Sequence, residues 1–178
     1  MKIEKVQEQY STFCQNIQSV ILGTVDSEGL PAATYTPYAM DAERNIYIFV
    51  SRMTAHTKNM IETPNVSALF LEDEADTKQI YARARLSYNC TAEEILRETP
   101  AFEGAISLLL DRHGNIVQKL TEMGDFHLFK LEPQSGRFVV GFGAAYQIAK
   151  EDLNALVHLR GDGGQGHVRP AAAHATAK

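Results

Sequence analysis

Positive charge, cysteine and long apolar runs are all scarce in this chain. Its 178 residues carry 17 Lys and Arg against 22 Asp and Glu, a net charge of −5, which argues against a general nucleic-acid binder. The two cysteines, Cys14 and Cys90, are far apart and match no metal-ligand spacing, so reduced and partly buried thiols are expected. No stretch is apolar for long enough to span a membrane. The N-terminal Met1-Lys2-Ile3-Glu4-Lys5 opens a polar helical pattern, not an apolar leader, and a cytoplasmic protein is expected. An HExxH motif, a nucleophile–base pair and a nicotinamide fingerprint are all missing.

What is present is an ordinary globular composition, with 44% apolar and 22% charged residues, enough for one compact domain and an extension. Residues 2–18 repeat apolar positions at helical steps. From Val20 the period changes to that of strands: Val20–Val25, Ala32 to about Met40 with Pro37 at an edge or bend, and Ile46–Val50, separated by turns at Asp26–Gly29 and Asp41–Asn45. A short helix at Ala55–Glu62 ends at Thr63-Pro64. Strands follow at Val66–Leu71 and Tyr81–Cys90. Thr91-Ala92-Glu93-Glu94 has the form of a capping box opening a helical region to about Leu120. Phe126–Leu131 and Arg137–Phe142 pair across a turn at Pro133–Gly136, Ala144–Ile148 extends the sheet, and a last helix covers Lys150–Leu156. These elements make a mainly β (α+β) protein, a small antiparallel barrel with peripheral helices. The domain is expected over residues 1–156, with a glycine-rich arm over 157–178.

Several residues are candidates for chemistry. Alternation along Tyr81–Cys90 puts Arg83 and Arg85 on one face, where they need an anion or the carboxylates of the nearby Glu72–Asp76 loop. The loop from Ser51 to Asn59, with Arg52, His56 and Lys58, leads into a helix and can hold a phosphate. Asp125, at a strand entrance, is either a turn former or the acceptor for a ligating imidazole. Gly141-Phe142-Gly143 marks a bulge or a close approach of backbone to a flat ligand. His127 reads as structural. The arm, Arg160-Gly161-Asp162-Gly163-Gly164-Gln165-Gly166-His167, is either a frayed end or a tether that delivers the His167 imidazole to a metal.

In order along the chain stand Ser51-x4-His56-x-Lys58-Asn59-x4-Pro64-x-Val66, then Lys78-Gln79-Ile80-Tyr81-Ala82-Arg83-Ala84-Arg85-Leu86. Asp125-Phe126-x-Leu128-Phe129-x-Leu131-x-Pro133, Gly141-Phe142-Gly143-x-Ala145-Tyr146-Gln147, Val157-His158-Leu159 and Gly166-His167 follow. Together they resemble the HugZ/HutZ haem-utilisation family, from about Ser19 to His167. The resemblance implies the split barrel of the pyridoxamine-phosphate-oxidase-like flavoproteins, a homodimer with its two barrels side by side, and haem b near the subunit interface. It implies an axial histidine matching His167, an acid of the other subunit matching Asp125 that hydrogen-bonds it, and a residue on the distal side matching Arg85. The implied reaction is oxidative haem cleavage to a biliverdin-type product, carbon monoxide and iron, with electrons from an external reductase or reductant. Arg83 or Lys58 would pair with the haem propionates.

The arm between Leu159 and His167 is longer and richer in glycine than the family's, which leaves His158 and His174 as competing ligands. Two alternatives keep the same fold: an FMN-binding oxidoreductase with the phosphate near Arg52, Lys58 and the Arg83/Arg85 pair, and a haem storage or transfer protein that does not cleave. Neither a nucleic acid nor a membrane is an expected partner.

Overall fold

The computed structural model describes residues 2–159. Helix α1 spans Ile3–Thr12, shorter than the apolar periodicity suggests. After it, Phe13 and Ile17 turn into the barrel core. The freed carbonyls of Cys14 and Ile17 accept hydrogen bonds from Arg112 Nη2 at 2.9 and 2.6 Å, so a side chain from a later helix satisfies the acceptors that a continuing helix would have used.

Strands β1 (Ser19–Val25) and β2 (Pro31–Pro37) form a hairpin. The Asp26 carboxylate closes it by accepting from the amides of Glu28 and Leu30 at 2.9 and 2.8 Å, and Gly29 supplies the left-handed residue at φ 86°. Then come β3 (Ala39–Met40), β4 (Ile46–Ser51), α2 (Ala55–Glu62), β5 (Asn65–Leu71), β6 (Arg85–Ile95), α3 (Pro100–His113), α4 (Ile116–Thr121), β7 (Phe126–Val139), β8 (Ala145–Ala149) and β9 (Asp152–His158). The antiparallel sheet runs β2-β1-β5-β6-β7-β4-β3, with β8 added to the far half of β7 and β9 to β8. The sheet curls until β2 and β4 are neighbours that share no ladder. That gap is the split of a split barrel.

Strand β4 shows how the two cores share one strand. Ile46, Ile48 and Val50 point into the barrel, while Phe49 lies on the other face, packed with Phe102, Leu109 and Val117 of α3 and α4. Near-continuous apolar character follows from burial on both faces.

Four local expectations differ from the structure. Thr91–Glu94 is not a helix cap: β6 continues to Ile95, paired with β7 down to Leu128, and Thr99 caps α3 instead by accepting from Phe102 N–H at 3.2 Å. Pro133–Gly136 is not a turn but the middle of the 14-residue β7. Pro133 sits opposite a register shift at Asn89/Cys90, where a missing N–H is tolerated. Residues 150–156 are not a helix. They turn at Lys150 and enter β9, because the exposed edge of β8 offers ladder partners to Asp152 and Val157. Strand β9 therefore runs to His158, past position 156, and residues 160–178 lie outside the described residues. Last, Tyr81–Ala84 is not strand: a one-turn 3-10 helix covers Ile80–Ala82, and β6 begins at Arg85.

Candidate functional site

A cavity of about 410 Å³ opens at the split, within the usual range for small-molecule sites. Thr36 and Pro37 of β2, Phe49 and Ser51 of β4, His56 of α2 and Leu120 of α4 contribute to its walls. It is predominantly apolar, and Ser51, Thr54 and His56 make one polar side.

That side is organised by the loop leaving β4. His56 is buried, 5% exposed. Its Nδ1 lies 2.9 Å from Thr34 Oγ1 and its Nε2 3.0 Å from Thr54 Oγ1. The Thr54 hydroxyl donates its one proton to Ser51 O at 2.9 Å, so its oxygen is left to accept from Nε2–H, and Nδ1 accepts from Thr34. Burial lowers the His56 pKa, because the charged ring would be desolvated. His56 is thus a neutral, fixed wall of the cavity, not a surface or capping residue.

Asp125 is tied to the same loop. The β4–β7 ladder pairs Ser51 with Phe126, and this register brings Asp125 against the loop. Ser51 Oγ donates to Asp125 Oδ2 at 2.6 Å, Met53 N–H donates to Ser51 Oγ at 3.2 Å, and Arg52 N–H donates to Asp125 O at 2.7 Å. Asp125 is half-buried, and its Oδ1 has no partner among the described residues. One oxygen is anchored and the other is available to a donor. Lys58, two residues beyond His56, faces solvent, with its Nζ 3.9 Å from Glu62.

The remaining predicted residues are at the other end of the sheet. Arg85 opens β6 opposite Leu71 and Val139, is exposed, and donates from Nη1 to Arg83 O at 3.0 Å. Arg83 precedes the strand. Its Nη1 pairs with Glu74 at 2.8 Å and its Nε donates to Glu72 O at 2.6 Å, so the acidic loop neutralises it. Gly141–Gly143 is not a bulge but a tight turn joining β7 to β8, closed by Val140 N–H to Ala144 O at 3.0 Å, with Gly143 at φ 66° and Phe142 exposed at the tip. His158 Nε2 donates to Gly143 O at 3.0 Å, and Leu159 N–H to Ala145 O at 2.8 Å. The chain thus leaves the described region beside this turn. His167 and His174 lie outside the described residues.

Asp125 and Arg85 therefore sit at opposite ends of the 14-residue β7, a contour of roughly 45 Å at about 3.3 Å per residue. Among the described residues, no group of three or more His, Cys, Asp or Glu could hold a bare metal ion, and no helix is long and apolar enough to cross a membrane.

Residues 6–140 match the family model described as pyridoxamine 5′-phosphate oxidase. The chain belongs to the pyridoxamine 5′-phosphate oxidase family. Within that family it is similar to heme oxygenase HutZ of Vibrio cholerae serotype O1, 34% identical over 155 residues, which are 87% of this chain and 88% of the relative. A crystal structure of HutZ, described as the heme storage protein from Vibrio cholerae, superposes with a TM-score of 0.69 at 31% identity, covering 75% of this chain and 91% of that one. Campylobacter jejuni ChuZ gives a TM-score of 0.79 at 30% identity over 89% of this chain and 64% of ChuZ. For this pyridoxamine 5′-phosphate oxidase family member the split barrel expected from the sequence is thus the fold observed.

Thr34 and Thr54 were not singled out by the sequence, and Ser51, although it opens the Ser51-x4-His56 motif, was given no role of its own. Their roles rest on contacts between β2, the loop after β4, and the entrance of β7.

Proposed function

We propose that this protein binds haem between two copies of itself and cleaves the porphyrin oxidatively, releasing iron and a biliverdin-type product. The observation that carries this is Asp125: a carboxylate held at one oxygen by Ser51, itself a wall residue of the apolar cavity, with the other oxygen open. Such an acceptor suits the N–H of an iron-bound imidazole, whose orientation and donor strength it would set. The likeness to heme oxygenase HutZ supplies the substrate class.

The residues present fit haem. The cavity walls are largely apolar, and the exposed Phe142 and Tyr81 add flat apolar surface at the other end. Haem, as substrate, brings the iron at which dioxygen is activated. His167 of the arm is the proposed axial ligand. Asp125 accepts its remaining ring N–H, and neutral His56 keeps the adjacent wall uncharged. Arg85 keeps guanidinium donors for the oxygen side or an ordered water. Lys58 is free to meet a propionate, whereas Arg83, occupied by Glu72 and Glu74, serves as the acceptor that braces Arg85. Electrons come from an external reductant.

The separation of Asp125 and Arg85 along β7 supports a site built from two subunits. The outer sheet face offers a surface for the second barrel: Tyr35, Ile21 and Leu69 form a cross-strand row, with the small residues Ala33, Gly23 and Ser67 in the next one. Tyr35 is 72% exposed. The flavin alternative, with Arg52 and Lys58 at one end of the sheet and Arg83 and Arg85 at the other, would need two subunits in the same way.

Haemin added to the purified protein should give a Soret band that His167→Ala shifts or weakens. Ascorbate under air should then bleach it and release ferrozine-reactive iron. An intact Soret band after reduction would leave a haem carrier, and a copurifying yellow chromophore with no haemin uptake would favour flavin.

A further inference from the structure

Arg97 lies in the turn between β6 and α3, away from every motif in the sequence. Its guanidinium donates to three main-chain carbonyls: from Nη1 to Thr121 O at 2.8 Å, and from Nη2 to Met123 O at 2.7 Å and Phe126 O at 3.2 Å. These acceptors are the end of α4, the loop after it and the first residue of β7. They bracket Gly124-Asp125. The same group lies over the rings of Phe49 and Phe102, 5.8 and 5.5 Å from their centroids, contacts that limit its swing.

The neighbouring backbone is also specialised. Glu98 has φ 62°, a left-handed conformation that a non-glycine residue adopts at a cost. Thr99 Oγ1 donates to Leu96 O at 2.8 Å and closes the turn. Strain at Glu98 and closure by Thr99 hold Arg97 at the head of α3, aimed at the segment carrying Asp125. Without it, that segment would hang between α4 and β7 with Gly124 as a free joint.

We propose that Arg97 is a positioning residue for Asp125. It fixes the backbone on both sides of the carboxylate, so that Ser51 can hold Oδ2 and Oδ1 stays presented to the ligand. The proposal rests on the role given to Asp125 above, and it extends that role to a side chain that touches neither ligand nor carboxylate. A fork of five donors on a plane can bridge three carbonyls; a lysine ammonium reaches them as a point charge without the same geometry.

The test compares Arg97→Lys and Arg97→Gln with Thr99→Ala, which loosens the α3 cap without touching the 121–126 carbonyls. In the haem-free protein the Arg52 amide, bonded to Asp125 O at 2.7 Å, reports the hold on the loop. Its hydrogen exchange should be about tenfold or more faster in both Arg97 variants and faster by a smaller factor in Thr99→Ala, which loosens the turn around Arg97 but keeps its donors, with β5 amides unaffected in all three. In the haemin-loaded ferric protein, the visible spectrum of the Arg97 variants should move in the direction taken by Asp125→Asn. Adding Arg97→Gln to Asp125→Asn should move it no further. Unchanged Arg52 exchange, wild-type spectra in the Arg97 variants, or additive shifts in the double variant would each overturn the proposal. If the wild type takes up no haemin, the haem reading fails, and the exchange result alone still decides whether Arg97 holds Asp125.

Discussion

Ser51 Oγ and Asp125 Oδ2 are 2.6 Å apart although 74 positions separate them in the chain. The hydroxyl accepts from Met53 N–H and donates to the carboxylate, so one residue ties the end of β4 to the entrance of β7. Removing it in Ser51→Ala leaves the Asp125 carboxylate free to rotate. Haemin binding should persist while turnover falls roughly tenfold, on the scale of one hydrogen bond to a charged group. Single-turnover decay of the Soret band measures it, and a wild-type rate would remove Ser51 from the site.

The proposed two-subunit site can be checked by mixing. Asp125→Asn and Arg85→Ala should each be impaired as homodimers. If each site takes Asp125 from one subunit and Arg85 from the other, a mixed dimer of the two variants contains one site with both wild-type residues. Co-expression with two affinity tags should then recover about half of the wild-type activity per dimer. Activity no better than that of the separate variants would place both residues in one subunit's site.

Arg83 and Arg85 should behave differently. Arg83 is paired with an exposed Glu74 carboxylate, an ion pair worth about 0–1 kcal/mol, together with its bond to Glu72 O. Arg83→Ala should lower stability modestly and leave turnover within about twofold, since the Arg83 acceptor that braces Arg85 is main chain and remains. Arg85→Ala should leave the melting temperature near wild type and slow haem degradation. Equal loss of activity in both variants would restore the paired role that the sequence suggested.

Gly136 has a packing role. A Cβ built there would stand 2.6 Å from Tyr88 Cδ1 and 2.9 Å from Ser87 O, and the Tyr88 ring is fully buried. Gly136→Ala should therefore destabilise by about 1–3 kcal/mol, read as a lower urea midpoint with unchanged slope.

The cavity wall brings a pH dependence. Burial holds the His56 pKa below its unfolded value of about 6.5. As pH falls, the unfolded chain takes up this proton first, so the stability from neutral His56 is complete above about pH 6.5 and is lost on acidification toward the folded-state pKa. The urea midpoint should fall between about pH 7.5 and 5, and His56→Gln should flatten that part of the curve. An unchanged slope in the variant would assign the acid sensitivity elsewhere.

By itself the sequence determined what local chemistry can determine. Helix α2 runs Ala55–Glu62, as its Thr63-Pro64 ending dictates. The first hairpin closes at Asp26–Gly29, since an Asp side chain and a glycine suffice to make that turn. The ordered motifs identified the family and its split barrel. Tertiary structure decided wherever pairing competed with local preference. Thr91–Glu94 and residues 152–156 became strand because neighbouring edges offered them ladders, and ladder bonds with burial outweigh a propensity of tenths of a kcal/mol per residue. Of the anion and the acidic loop that Arg83 could meet, the fold brought the loop, with the Glu74 carboxylate and the Glu72 carbonyl within reach. The Ser51–Asp125 contact, the His56 clasp and the reach of Arg97 around Gly124-Asp125 depend on the register of β4 against β7 and on where α3 docks, and no spacing along the chain encodes those distances.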